Sequence, residues 1–109
     1  MTDLEMTRLC AEAMNYETFV ADGWLRSRKI KGKLIRKGLE YLFEHNGAVY
    51  DPLHDDEQAM ALLKKFRPSI EPLEDGSWFA DMFGGEYAEA TDLNRAIVEC
   101  AAKMQADRR

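Results

Sequence analysis

A dense group of basic side chains is the first feature of this chain that could do chemistry. Twelve residues, from Arg26 to Lys37, contain seven cations and no acid. The cations are Arg26, Arg28, Lys29, Lys31, Lys33, Arg36 and Lys37, and we call this stretch the basic segment. With Trp24 and Tyr41 nearby for stacking, it could follow a nucleic-acid backbone, since phosphate contacts need only charge and reach. The same side chains on an edge strand would instead prevent edge-to-edge aggregation, and both interpretations stay open.

The basic segment contrasts with the charge of the rest of the chain. The formal net charge is -5, so the other 97 residues sum to -12. This sorting predicts two surfaces of opposite sign, and such surfaces steer or repel charged partners. The pattern favours binding over catalysis. It also means that a nucleic-acid complex would have to be one-sided.

A second candidate is the run His54-Asp55-Asp56-Glu57, whose imidazole and carboxylates could form a metal or acid–base site if they converged. Adjacent residues of a helix point in different directions, and only His45 is available as another imidazole. Acids at the start of a helix satisfy free N–H groups and complement its dipole. We therefore expect a helix start here and no metal site.

A third candidate is a group of large apolar side chains around Gly84-Gly85. Its members are Trp78, Phe79, Met82, Phe83 and Tyr87. Strand alternation would bury Trp78 and leave Phe79 on the other face. Most of the group should be core, but Met82, Phe83 and Tyr87 beside a diglycine are also typical of an apolar anchor for a protein partner.

None of these groups has the spacing of a catalytic centre. No Ser-His-Asp or Cys-His arrangement is indicated, and Gly84-Gly85 lacks the lysine and helix start of a phosphate loop. Cys10 and Cys100 lie in helical apolar patterns and are predicted to be buried small hydrophobes. A bridge between them is geometrically conceivable, although a reducing compartment disfavours it. We expect neither enzymatic activity nor a cofactor.

Length and composition predict one soluble domain over residues 1–109. The chain is 46% hydrophobic and 32% charged, which is typical of globular proteins. Its apolar runs are too short for a membrane span, and the acidic start lacks the features of a secretory signal. A cytoplasmic location is expected.

Capping residues and apolar spacing predict three helices. The first covers about residues 3–14, with Thr2 and Glu5 as a capping box and Asn15 as the left-handed residue that closes it. The second starts with Asp55 as its cap and ends at Pro68, and the third begins at Thr91 or Asp92. Their inward residues are Met6, Leu9, Cys10 and Ala13, then Ala59, Leu62, Leu63 and Phe66, then Leu93, Ala96, Ile97, Cys100, Ala101 and Met104.

Three dipeptides predict antiparallel hairpins between these helices: Asp22-Gly23, Asn46-Gly47 and Asp75-Gly76. The strand pairs they predict are 16–21 with 24–30, 39–44 with 48–51, and 69–73 with 77–82. Residues 33–45 could instead form a helix, although Gly38 would cost that helix roughly 1 kcal/mol. The expected fold is α+β, a small antiparallel sheet built from hairpins and packed against three helices.

Three segments carry a family resemblance: Leu9–Met14 (LCAEAM), Tyr50–Leu62 (YDPLHDDEQAMAL) and Thr91–Cys100 (TDLNRAIVEC). Together they resemble the phage ABA-sandwich family of small phage and prophage proteins. The resemblance implies a phage origin and helices placed against a small antiparallel sheet, and it carries no catalytic residue. This chain has Asn15 where the family usually shows glycine, and the basic segment departs from the family pattern.

The function expected from these observations is binding. The first expectation is a non-enzymatic phage accessory protein that modulates a host macromolecule, most concretely an anti-CRISPR-like inhibitor of a bacterial defence complex. The alternative is nucleic-acid binding through the basic segment. An edge strand and the apolar region around Phe83 could also form a symmetric homodimer. No membrane partner is expected.

Overall fold

The fold is α+β, with helices packed against small antiparallel sheets. This computed structural model describes residues 1–15, 18–22, 40–44, 49–82 and 85–108, and at 18–22, 40–44 and 49 it describes the backbone alone. The helices are α1 (Asp3–Ala13), α2 (Asp56–Phe66) and α3 (Leu93–Arg108). The strands are β1 (Thr18–Asp22), β2 (Glu40–Glu44), β3 (Val49–Tyr50), β4 (Ser69–Pro72), β5 (Trp78–Asp81) and β6 (Tyr87–Ala90). The predicted fold class is confirmed.

Helix α1 starts and stops where the sequence predicts. The Thr2 hydroxyl accepts a hydrogen bond from the Glu5 N–H at 3.1 Å, which satisfies one of the free donors of the first turn. Asn15 follows the helix with a φ of 61°, so it closes α1 in the left-handed conformation. Met6 and Leu9 are buried along the inward side. These local signals fix which face of α1 enters the core.

Helix α2 is capped as predicted and stops directly before Pro68, also as predicted. The Asp55 carboxylate accepts a hydrogen bond from the Gln58 N–H at 3.1 Å. At the other end Arg67 has a φ of 54° and donates its N–H to the Leu63 carbonyl at 2.9 Å. The helix is therefore closed by a left-handed arginine before Pro68, a position that usually favours glycine.

Helix α3 lies at the centre of the molecule. It packs against α1 and α2 on one side and against β5 and β6 on the other. Residues 96–98 and 100–102 are all buried, so apolar contact surrounds more than one face of the helix. Asp92 caps it by accepting from the Arg95 N–H at 3.2 Å. The predicted start at Thr91 or Asp92 is confirmed within a residue or two.

The described strands form two antiparallel sheets, each of three strands, in the orders β1-β2-β3 and β4-β5-β6. In the first sheet β1 pairs with β2 from Thr18 opposite Glu44 to Asp22 opposite Glu40. Asp22 was predicted as a turn residue, and this is wrong, because a residue extended in a ladder cannot hold a left-handed turn position. The predicted partner of β1, 24–30, lies outside the described residues.

The middle hairpin is confirmed in its strands. β2 pairs with β3, Leu42 opposite Tyr50 and Phe43 opposite Val49. Residues 40–44 are therefore strand and not helix, which decides the alternative for that part of 33–45. The Asn46-Gly47 turn lies outside the described residues.

The second sheet begins with the predicted hairpin at Asp75-Gly76. β4 pairs with β5 from Ser69 opposite Asp81 to Pro72 opposite Trp78. Gly76 has a φ of 88°, and the Asp75 carboxylate accepts from the Ser77 N–H at 2.9 Å. Strand β6 was not predicted; it pairs with β5 from Trp78 opposite Ala90 to Asp81 opposite Tyr87.

Two buried clusters fill the interior on either side of α3. The large core joins α1, β3, α2 and α3, and its members are Met6, Leu9, Cys10, Ala11, Tyr50, Leu53, Leu62, Phe66, Ile97, Val98, Ala101 and Ala102. The small core joins α3 to the second sheet through Ala80, Ala88, Ala96 and Cys100. These small side chains let the helix approach the sheet closely.

Candidate functional site

The second sheet has one covered face and one exposed face. Ala80 and Ala88 are 0% and 1% exposed and point at α3. Because strand side chains alternate, the residues between them point away from the core. We call this set the outer face, and it comprises Ser69, Glu71, Phe79, Asp81, Tyr87 and Glu89. It contains no lysine or arginine.

Aromatic rings and carboxylates alternate across the outer face. Phe79 on the central strand β5 lies opposite Glu71 on β4 and opposite Glu89 on β6. In the next row Asp81 lies opposite Tyr87. Directly opposed residues have Cβ atoms about 4.5–5.5 Å apart, so each ring has a carboxylate within reach of a common ligand.

The two rings form one aromatic patch. The centroids of Phe79 and Tyr87 are 5.7 Å apart with an interplanar angle of 32°. Tyr87 is 59% exposed, whereas Phe79 is half-buried. Glu71 and Glu89 are exposed beside them. The patch is therefore accessible and has negative charge at its margins.

Lys103 of α3 reaches the edge of this patch. Its Nζ donates to the Tyr87 carbonyl oxygen at 2.9 Å and lies 5.5 Å from the centroid of the Tyr87 ring. It is also 3.9 Å from a Glu99 carboxylate oxygen, the predicted i, i+4 pair of α3. The contact shows that the Tyr87 ring accepts a cation, and it covers part of an edge strand.

A pair of carboxyl groups lies close to the same edge. The pKa of Glu86 is raised from its ordinary value, first because its side chain hydrogen-bonds with Asp107 and second because the two negative charges repel. Lys103 acts in the opposite direction by stabilising the charged form. The start of β6 and the last turn of α3 are thus linked through groups that respond to pH.

The His54–Glu57 run lies at the opposite end of α3, beside an open groove of about 410 Å³. The groove is lined by Leu53, His54, Asp56, Asp92, Asn94 and Arg95. His54 Nδ1 is 2.9 Å from an Asp51 carboxylate oxygen, and Asn94 Nδ2 donates to Asp56 at 2.8 Å. Among the residues that the structure describes, no three His, Cys, Asp or Glu side chains are grouped to hold a metal.

The polar groups of this groove mainly connect helices. Asp55 caps α2, Asp56 is bonded to α3 through Asn94, and Asp92 caps α3. The helix-start interpretation of the acidic run is confirmed at Asp55. The arrangement joins the N-terminal ends of α2 and α3, and no pair of its groups is set up as nucleophile and base.

The two cysteines are not positioned for chemistry. Cys10 and Cys100 are both fully buried, as predicted, and both are free. Burial raises the pKa of Cys10 to about 12 and that of Cys100 to about 11. Their thiols face different carbonyls, Val98 O and Glu86 O, on opposite sides of α3. A thiolate nucleophile is disfavoured at both positions.

The structure places the residues predicted as binding sites in different environments. The whole basic segment, Arg26 to Lys37, lies outside the described residues, as does Phe83. Met82 is half-buried and packs against both cores, so its thioether faces the interior. Of the two anchor residues that the structure describes, Tyr87 is the exposed one.

The sequence interpretation missed the carboxylates of the outer face. Glu71 becomes a neighbour of Phe79 through the pairing of β4 with β5, whereas Glu89 meets Phe79 and Asp81 meets Tyr87 only when β6 pairs with β5. The signal for β6 was present in Tyr87-Ala88-Glu89-Ala90, whose large and small side chains alternate with a period of two.

The part of the chain with described side chains is strongly acidic. It contains sixteen of the twenty acidic residues and seven of the fifteen basic ones. No described helix is both long and apolar enough to cross a bilayer. Comparison of the chain with protein-family models, curated proteins and solved structures gave no match. The phage family resemblance therefore stays a prediction.

Proposed function

We propose that the chain is a non-enzymatic phage accessory protein that acts in the host cytoplasm by binding a host protein. In its most concrete form it inhibits a bacterial defence complex by occupying a basic, nucleic-acid-binding site on that complex. The phage ABA-sandwich resemblance supports the origin. The acidic outer face of the second sheet supports the mode of action.

The observation that carries the proposal is the contact between the exposed Tyr87 ring and the half-buried Phe79 ring, set among Glu71, Asp81 and Glu89. Isolated carboxylates would keep a surface soluble, but exposed aromatic rings on a soluble domain are typical of interfaces. Together they suit a partner that is basic and has a hydrophobic component. Nucleic-acid-binding grooves combine these properties, since they use lysine, arginine and aromatic side chains.

Charge accounts for how such a partner would be found and held. An acidic surface is steered toward a basic groove, and association becomes faster as the ionic strength falls. Once docked, the carboxylates would occupy positions that otherwise contact phosphate. Inhibition follows from competition and requires no catalytic group, which agrees with the buried thiols and the bonded polar groups of the groove.

The test is capture of host proteins on the immobilised chain at low and moderate salt, followed by elution with duplex DNA and RNA. We expect a nucleic-acid-binding defence protein that the nucleic acid displaces and whose activity falls when the chain is added. A Glu71→Gln/Glu89→Gln variant should lose this capture. A Glu5→Gln/Glu57→Gln variant removes the same charge from exposed sites elsewhere and should keep it. Recovery of no such protein would overturn the proposal.

Nucleic-acid binding through the basic segment is the alternative, and it predicts a different outcome. The chain itself would retain labelled DNA or RNA, with affinity falling steeply with salt. Replacing Arg28, Lys29, Lys31 and Lys33 by glutamine would abolish retention, while the Glu71→Gln/Glu89→Gln variant would not weaken it. The two experiments together separate a protein partner from a nucleic-acid one.

A further inference from the structure

We propose that the outer face of the second sheet is an arginine-selective docking site, in which a guanidinium from a basic protein partner stacks on Phe79 and pairs with Glu71 or Glu89. This rests on the proposed function, because it specifies the chemistry of that partner. It commits the face to arginine side chains and not to cations in general.

The geometry of the central row points to a guanidinium. Phe79 lies between two exposed acids, Glu71 and Glu89, each directly opposite it on a neighbouring strand. A guanidinium is planar, so it can lie over a ring while its N–H groups form two parallel hydrogen bonds to a carboxylate. The ammonium of a lysine is a compact point charge and cannot make the second bond in that plane. Arginine therefore gains from both components of the row.

In the adjacent row a cation of the chain itself already lies beside a ring. Lys103 Nζ already lies 5.5 Å from the centroid of Tyr87. Lys103 approaches from the edge of the sheet and donates a hydrogen bond to the Tyr87 carbonyl oxygen, and Tyr87 remains 59% exposed. The Phe79 row receives no lysine or arginine from the outward positions of the three strands. Among the side chains that the structure describes, the two carboxylates of this row therefore have no basic partner within the sheet beside the ring.

Charge complementarity also argues against the other occupants of such a face. An apolar partner would leave Glu71, Asp81 and Glu89 without compensation, which is costly. A nucleic acid would be repelled by the same three acids. Edge-to-edge strand addition by a second copy is hindered by Pro72, which has no N–H to offer on β4, and by Lys103 on β6. A basic protein surface satisfies both the rings and the carboxylates.

The experiment compares two labelled peptides of equal charge, nine arginines and nine lysines, titrated with the full chain in fluorescence anisotropy at moderate salt. We expect the arginine peptide to bind more tightly by about two- to fivefold for each seated side chain, the range of an exposed cation–π contact. Glu71→Gln/Glu89→Gln should weaken both peptides. Phe79→Leu keeps an apolar side chain of similar size and should weaken the arginine peptide more than the lysine peptide, so that the arginine preference is lost.

The control is Glu5→Gln/Glu57→Gln, which changes the net charge equally at distant exposed positions. Equal affinities for the two peptides would overturn the proposal. An equal loss of binding in the control variant would also overturn it, because either result would show that binding depends only on the net charge of the chain. Sedimentation of the chain alone tests whether the occupant is a second copy; a dimer lost in Glu71→Gln/Glu89→Gln would also overturn it. Circular dichroism of Phe79→Leu and of a second variant, Tyr87→Leu, separates lost selectivity from lost folding.

The peptide experiment uses no host protein, so its result is independent of the capture experiment. A preference for arginine without capture of a defence protein would support the arginine site and contradict the proposed defence target. If Phe79→Leu and Tyr87→Leu capture the defence protein as well as the wild type does, the proposed function is supported and the arginine site is contradicted.

Discussion

Arg95 Nη2 donates a hydrogen bond to Asp3 Oδ1 over 2.9 Å, which joins the first turn of α3 to the first turn of α1 across 92 positions of the chain. The contact with Asp3 raises the pKa of Arg95 from its ordinary value, mainly through this hydrogen bond. With Asn94 and Asp56 it closes a set of side-chain bonds around the helix starts. Polar groups that line the groove are thus already engaged in hydrogen bonds.

The Asp3–Arg95 pair should contribute little to stability because both side chains are largely exposed. A double-mutant cycle with Asp3→Asn and Arg95→Gln should give a coupling energy of about 0.2–1 kcal/mol in urea unfolding, decreasing as salt is added. A coupling energy several times larger would mean that the pair is desolvated and that the groove has a different environment from the one described.

The small core should resist enlargement. Ala88 of β6 is 1% exposed and packs with Ala80, Ala96 and Cys100 against α3, so a longer side chain would have to displace buried neighbours. Ala88→Leu should lower the free energy of unfolding by about 1–3 kcal/mol. Its neighbour Glu89 faces outward, so Glu89→Leu should change it by less than about 0.5 kcal/mol. Similar losses in both variants, measured by urea unfolding, would contradict the inward and outward assignment.

The left-handed Arg67 should be a site where glycine stabilises the fold. A side chain in this conformation costs roughly 1–2 kcal/mol, and glycine avoids the cost but gains freedom in the unfolded state. The net expectation for Arg67→Gly is a gain of about 0.5–1 kcal/mol in thermal or urea unfolding. Lys65→Gly, two residues earlier within α2, should instead lose about 0.5–1 kcal/mol. A loss at both positions would show that the Arg67 side chain has a compensating role.

The Glu86–Asp107 contact predicts a pH dependence of stability. The pKa of Glu86 is raised in the folded state, so its protonated form favours folding, and that contribution is complete below the unfolded value near 4.5. It is lost as the pH rises through the raised folded pKa. Glu86→Gln should therefore be more stable than the wild type at neutral pH, and the difference should shrink on acidification. A difference that grew toward low pH would reverse the assigned sign.

The buried thiols should react only when the fold opens. Burial raises the pKa of Cys10 to about 12, so at pH 8 few molecules carry a thiolate and the sulfur is inaccessible. A chromogenic thiol reagent should modify the native chain far more slowly than the chain in concentrated urea. Cys100→Ala isolates Cys10 for this measurement. Rapid modification of the native Cys100→Ala variant would place Cys10 at the surface.

Local signals in the sequence were enough to predict the helices and two of the strand pairs, β2 with β3 and β4 with β5. Thr2, Asp55 and Asn15 act on backbone groups within a few residues, so their roles can be inferred without knowing the fold. Gly76 likewise determines its own turn. These features depend on conformational preferences that each residue carries with it.

The pairing of strands that are far apart in the sequence could not be predicted from such local signals. The pairing of β1 with β2 was not predicted, because a turn motif such as Asp22-Gly23 indicates only a nearby reversal and carries no information on a more distant partner. The candidate site was missed for the same reason. Tyr87 could be identified by its type, but its neighbours Asp81 and Phe79 are set by the register of β5 and β6. The arrangement of charge around a ring is a property of strand alignment.

The central position of α3 has a consequence for how the molecule is made. The ribosome synthesises α3 after every other described element, yet residues of α3 form part of both buried clusters. Until residues 93–108 emerge, α1, α2 and β4–β6 have apolar sides with nothing to cover them. Neither buried cluster can therefore be complete before α3 has left the ribosome.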